Sequence, residues 1–137
     1  MTNKVCGIHL VLELKGCPFE VLDDENLIKT AIEQASQKSM STLLNLVSHK
    51  FEPVGVTALG LLAESHISIH TWPELGYAAV DIFTCGQYSD PHKACKFLVK
   101  FLQAQDYDLI TLPRGNKLQK QFLYSLDQES KQCQMAN

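Results

Sequence analysis

Between residues 65 and 85 the chain carries alternating apolar and polar residues, broken once by Trp72-Pro73-Glu74-Leu75-Gly76. Ile67 and Ile69 alternate with Ser68 and His70, the period of a strand with one dry and one wet face. Pro73 removes a backbone donor and Gly76 permits a positive φ, so the run must turn there. From Tyr77 the alternation resumes, with Ala78, Val80 and Ile82 on one side and Tyr77, Ala79, Asp81, Phe83 and Cys85 on the other. A hairpin is the economical solution, and it returns Cys85 to the start of the strand that carries Ser65. By parity His66, Ser68, His70 and Trp72 share a face, whereas Ser65 belongs to the other. For Ser65 and His70 to cooperate, Ser65 must lie at a strand end or bulge, where simple alternation fails.

The flanking segments read as scaffold. Residues 5–14 alternate, with Ile8, Leu10, Leu12 and Leu14 opposite His9, Val11 and Glu13, and predict a first strand stopped by Gly16-Cys17-Pro18. Asp23 or Asp24 can cap a helix whose stripe is Leu27, Ile28, Ala31, Ile32 and Ala35. Residues 41–51 predict a second strand ended by Pro53, and residues 54–63 are short and apolar enough for a buried one. Asp90-Pro91 resembles a helix start, and Ala94, Phe97, Leu98, Phe101 and Leu102 follow at helical spacing. Residues 107–112 fit a last strand; Leu118, Phe122 and Leu126 suggest a short helix before a polar end expected to be disordered. Two helices against one face of a mainly antiparallel sheet bury both stripes, so the expected class is α+β: a two-layer α/β sandwich in one domain, residues 1–137.

Composition excludes several functions. A net charge of −3 without a Lys/Arg cluster argues against nucleic acid. No charge-free run approaches the roughly 18 residues of a membrane span. The N-terminal residues, interrupted by His9 and Glu13, do not fit a signal peptide. Five cysteines at spacings that match no zinc or redox signature point to reduced thiols in a cytoplasm, with Cys6 and Cys95 as small core hydrophobes. His66 and His70 lack the helical glutamate of the common zinc motif, so no metal is implied; His66 reads as a structural hydrogen-bonder. His9, His49 and His92 have no motif around them and default to surface or sheet positions.

Ala-Glu-Ser-His-Ile-Ser-Ile-His-Thr-Trp-Pro-Glu, followed by Gly-Tyr-Ala-Ala-Val-Asp-Ile-Phe-Thr-Cys-Gly, closely resembles the prokaryotic S-adenosylmethionine decarboxylase proenzymes, small pyruvoyl-dependent enzymes of polyamine synthesis. The similarity is dense over residues 51–86, weaker over residues 13–17, and fades after about Arg114. It implies self-cleavage between Glu64 and Ser65 into a β chain, residues 1–64, and an α chain, residues 65–137. Ser65 would become the pyruvoyl group, which forms a Schiff base with the substrate amine. His70 matches the family's processing histidine, a proton acceptor, and Thr57 falls where the family commonly has an assisting serine. Thr57 keeps the hydroxyl, but its extra methyl restricts the rotamer. Cys85 matches the proton donor of decarboxylation, and an ordinary thiol, with a pKa of about 8.5, is mostly protonated at neutral pH. Phe51 and Trp72 match aromatic positions that stack on adenine and face the sulfonium, and Glu74 matches the carboxylate that accepts from the ribose hydroxyls.

The implied activity is conversion of S-adenosylmethionine to its decarboxylated form for spermidine synthesis, by a cytoplasmic homodimer of cleaved protomers with active sites near the interface. A pyruvoyl-dependent ornithine or arginine decarboxylase would keep the same chemistry, but Trp72 and Glu74 favour the nucleoside. A non-catalytic regulatory paralogue should have lost a chemical residue, whereas Ser65, His70 and Cys85 are all present.

Overall fold

A computed structural model describes residues 5–115. The elements are β1 (Gly7–Lys15), α1 (Phe19–Leu22), α2 (Glu25–Lys38), β2 (Leu43–Lys50), β3 (Val56–Leu62), β4 (Ser65–Trp72), a short 3-10 turn (Pro73–Leu75), β5 (Tyr77–Thr84), α3 (Pro91–Phe101) and β6 (Asp106–Arg114). The strands form one sheet in the order β2-β3-β4-β5-β1-β6, every neighbouring pair antiparallel. α2 and α3 lie against the same face of it, which gives the expected two-layer sandwich. The expected helix at Leu118, Phe122 and Leu126 and the polar end lie outside the described residues.

Local chemistry explains the boundaries. The Asp24 carboxylate accepts from the Leu27 N–H at 3.0 Å and opens α2, and Asp90 accepts from the His92 N–H at 3.1 Å to open α3 before Pro91. Asp23, the other candidate cap, accepts from the Gly55 N–H at 2.8 Å and pairs with Lys50 at 3.0 Å. The Gly55 N–H, with Lys50 beside it, holds the Asp23 carboxyl below its ordinary value. The 3-10 turn ends at Gly76 with φ 62°, as the break in the alternation required.

The core lies between helices and sheet. Ile28, Ala31, Ile32 and Ala35 of α2 and Ala94, Cys95 and Leu98 of α3 meet Leu10, Leu12, Leu14, Ile67, Ile69, Val80 and Ile82, all buried. Each large aliphatic side chain here contributes about 1.5–3 kcal/mol by leaving water. Burial pushes the Cys95 thiol up to about 12 and the Cys17 thiol up to about 11. Cys6 departs from the core reading: it lies exposed ahead of β1, outside the space between helices and sheet, and its N–H donates to the Arg114 carbonyl.

Among the described residues the other sheet face carries no helix, and it is not polar throughout. Val47, Leu59, Leu61 and Ile110 lie on it about half exposed, where a solvated antiparallel sheet ordinarily alternates to polar residues.

Gly60 sets how closely α2 approaches β3, since a Cβ there would sit 2.5 Å from Ile32 Cγ2, a stiff branch methyl. Gly60→Ala should therefore destabilise the fold by about 1–3 kcal/mol in urea unfolding. An unchanged midpoint would mean that this contact does not limit the helix position.

Candidate active site

Leu62 pairs with Ser65 across β3 and β4, so the strands are joined by a two-residue turn, Ala63-Glu64. Turns of this length favour positive φ at their central residues. Here neither turn residue has it; Ser65, the first residue of β4, carries φ 149° instead. That backbone region is nearly confined to glycine and costs a residue with a side chain about 1–3 kcal/mol. Ser65 is thus at a strand end where alternation fails, beside the peptide it shares with Glu64.

The hairpin delivers Cys85 to the same place. Thr84 pairs with Ser65, and the next residue donates twice to the Glu64 carbonyl oxygen: the Cys85 N–H at 2.9 Å and the Cys85 thiol at 3.1 Å. One carbonyl held by two donors beside a hydroxyl is an arrangement suited to attack on that carbonyl. A cavity of about 570 Å³ opens alongside, lined by Cys6, Gly7, Thr84, Cys85, Gly86 and Gln87.

The other site residues gather at the far end of β4. Thr57 and His70 pair across β3 and β4, and Thr57 Oγ1 is 3.0 Å from His70 Nδ1. They line a cavity of about 340 Å³ with Phe51, Gly55, Trp72 and Glu74. Trp72 packs against Tyr77 with ring centroids 5.2 Å apart, and Phe51 meets His49 edge-on at 4.6 Å; both aromatics remain partly exposed. The floor is fixed by Thr71, whose hydroxyl donates to the Leu22 carbonyl at 2.8 Å and accepts from the Val56 N–H at 2.9 Å.

Within one protomer the two groups do not meet. His70 lies five positions beyond Ser65 on a continuous strand; at about 3.3 Å per residue their Cα atoms are about 16 Å apart. The structure brings Glu64, Ser65 and Cys85 together, and separately Phe51, Thr57, His70, Trp72 and Glu74.

On the face that carries His70 runs a network that no motif announced. Arg114 donates to His9 Nδ1 at 2.9 Å, so the His9 Nε2–H donates to Asp81 at 3.0 Å. Arg114 also sits over the Phe83 ring, 5.4 Å from its centroid, and Phe83 lies across Gly7, where a Cβ would be 2.7 Å from the ring. His66 is edge-on to His9 and Phe83; burial, with His9 nearby, lowers its pKa and favours the neutral ring. Cross-strand register alone could have suggested this cluster, but register is not visible in a lone histidine. Among the described residues no three His, Cys, Asp or Glu side chains converge as a metal-ligand set.

A model of the S-adenosylmethionine decarboxylase family matches residues 8–115. An S-adenosylmethionine decarboxylase proenzyme of Prochlorococcus marinus (strain MIT 9211) is 58% identical over 79% of this chain and 88% of its own. One from Methanococcus maripaludis (strain C7) is 46% identical over 82% of this chain and 92% of its own. The crystal structure of the adenosylmethionine decarboxylase from Aquifex aeolicus VF5 superposes with a TM-score of 0.77 at 32% identity, covering 88% of this chain and 99% of that one. With the family model spanning most of its length and relatives this similar over most of theirs, the chain belongs to the S-adenosylmethionine decarboxylase family.

Proposed function

We propose that this chain is a proenzyme that cuts itself between Glu64 and Ser65, and that the cut form decarboxylates S-adenosylmethionine to supply the aminopropyl donor for spermidine. The observation that carries this reading is the Glu64 carbonyl, held by both Cys85 donors beside a serine with φ 149°. Ser65 Oγ attacks that carbonyl carbon, the oxyanion that develops keeps the N–H and thiol bonds, and the peptide C–N bond breaks to leave an ester and a free amine. Loss of the residue 65 α-proton then breaks the Cβ–O bond and expels the Glu64 carboxylate. The remaining dehydroalanine tautomerises, and water replaces its nitrogen as ammonia, leaving a pyruvoyl group.

The residues fit such a group, because Cys85 and the cavity beside it adjoin Thr84, the cross-strand partner of residue 65. It supplies an electron-withdrawing carbonyl that draws off the electron pair left when carbon dioxide departs. Cys85, in hydrogen-bond reach of residue 64, is the proton donor to the substrate α-carbon. In the far cavity the exposed faces of Trp72 and Phe51 suit an adenine and a sulfonium, and the Glu74 carboxylate suits ribose hydroxyls. Thr57 occupies Nδ1 of His70 and leaves Nε2 to take the proton during the cut.

These roles require a second copy. A rigid strand keeps His70 about 16 Å from Ser65, so the base must come from outside the protomer. The half-exposed Val47, Leu59, Leu61 and Ile110, with a groove of about 320 Å³ between Asn45, Leu59, Leu61 and His66, offer a sheet face for another sheet to cover. A two-fold axis passing above the sheet face over the middle of β4, near Ser68, runs the partner's β4 in the opposite direction. It sets the partner's His70, Trp72 and Glu74 against Ser65 and Cys85, so the homodimer holds two composite sites.

Co-expression tests the pairing. Ser65→Ala and His70→Ala chains should each remain uncut alone, whereas in a mixed dimer the His70→Ala chain should be cut, served by the other copy. No cut in the mixture, with wild type processed normally, would place His70 in its own protomer's site. For the substrate, carbon dioxide should be released from S-adenosylmethionine and not from ornithine or arginine; the reverse pattern would transfer the chemistry to a basic amino acid. Cys85→Ala should release it at least about 100-fold more slowly, and normal turnover would remove the thiol from the mechanism.

A further inference from the structure

We infer that the Glu64 side chain is a positioning residue for the cut: it ties the strained turn to the start of β2 and so holds its own carbonyl where Ser65 can attack it. The inference rests on the self-cleavage reading above and deepens it.

The Ala63-Glu64 turn offers no glycine, asparagine or aspartate, and it avoids positive φ at both of its residues. Left to itself such a turn would splay its strands or relax the backbone at Ser65. Four hydrogen bonds oppose this. On one side the Ala63 N–H donates to the Thr42 carbonyl at 2.9 Å, and the Thr42 N–H donates to Glu64 Oε2 at 3.0 Å. On the other, the Cys85 N–H and thiol hold the Glu64 carbonyl. Residue 64 is therefore clamped between the start of β2 and the end of β5, through its side chain in one direction and its main chain in the other.

Only the Thr42 to Glu64 bond depends on the side chain of residue 64. Thr42 itself sits in the short link from α2 to β2, whose Ser39 and Ser41 form a hydroxyl chain with Ser89 of the β5–α3 loop: Ser39 Oγ donates to Ser41 Oγ at 3.0 Å, and Ser41 Oγ lies 2.8 Å from Ser89 Oγ. The Asp90 N–H also donates to the Ser39 carbonyl, so the anchor for Glu64 is fastened to the loop that follows Cys85. Removing the carboxylate frees one side of the turn while leaving Ser65, Cys85 and His70 in place. The attacking geometry, and not the identity of the reacting groups, is what changes.

The test is the rate of chain scission in freshly synthesised protein, followed by denaturing gel and intact mass. Glu64→Gln keeps an oxygen that can accept from the Thr42 N–H and should be cut within about threefold of wild type. Glu64→Ala has no acceptor, and Glu64→Asp keeps the charge on a shorter stem; both should be cut at least about tenfold more slowly. Hydroxylamine, which cleaves an ester once it has formed, should not restore scission in the slow variants, because the acyl shift is the step they impair. A Glu64→Asp chain cut as fast as wild type, a Glu64→Gln chain as slow as the alanine variant, or full rescue by hydroxylamine would overturn the inference. A wild-type chain that is never cut would instead overturn the self-cleavage reading beneath it.

Discussion

The β3–β4 turn closes with Ala63 and Glu64, although hairpin turns of that length favour glycine, asparagine or aspartate, and its unfavourable backbone geometry appears one residue later, at Ser65. Strain of this kind persists only where the surroundings over-determine it. Here β4 lies inside the sheet, paired with β3 and β5 along its length, and its core-facing Ile67 and Ile69 are fully buried beneath the helices. The core holds the strand, the strand holds Ser65, and Thr42 and Cys85 hold the peptide before it. Backbone strain and paired donors thus converge on the one amide that the proposed reaction must break.

The same rigidity that presents Ser65 prevents His70 from reaching it. A strand has no hinge, so residues five positions apart stay about 16 Å apart. Burial of Ile67 and Ile69 rules out a one-residue slip, which would turn both into the opposite face. The apolar residues on the face opposite α2 and α3 then acquire a role. In the proposed homodimer they would give a second sheet something to cover, and the covering copy would run its far cavity toward the first copy's serine.

Much of the fold was legible in the residues. The alternation on either side of Pro73 and Gly76 gave the central hairpin, and the stripes at Ile28, Ala31, Ile32 and Ala35 and at Ala94 and Leu98 gave both long helices, because burial imposes those periods directly. The short α1 was not anticipated, since four residues carry too little periodicity, and Cys6 looked buried because its neighbours are apolar, although it lies ahead of β1 and is exposed. Parity required a strand end or bulge at Ser65 if it was to cooperate with His70, but it did not show how far His70 would stand from it, because parity says nothing of reach. The resemblance supplied the site residues as a single set; the backbone divides them into two. The Arg114–His9–Asp81 network and the Thr42–Glu64 clamp depend on which distant strands become neighbours, and no local pattern encodes that.

Intact-mass spectrometry of the purified, denatured protein tests the central claim most directly. Two polypeptides are expected, one ending at Glu64 and one beginning at residue 65 with a keto group in place of the serine amine. A single uncut species from protein that nonetheless decarboxylates S-adenosylmethionine would contradict the account.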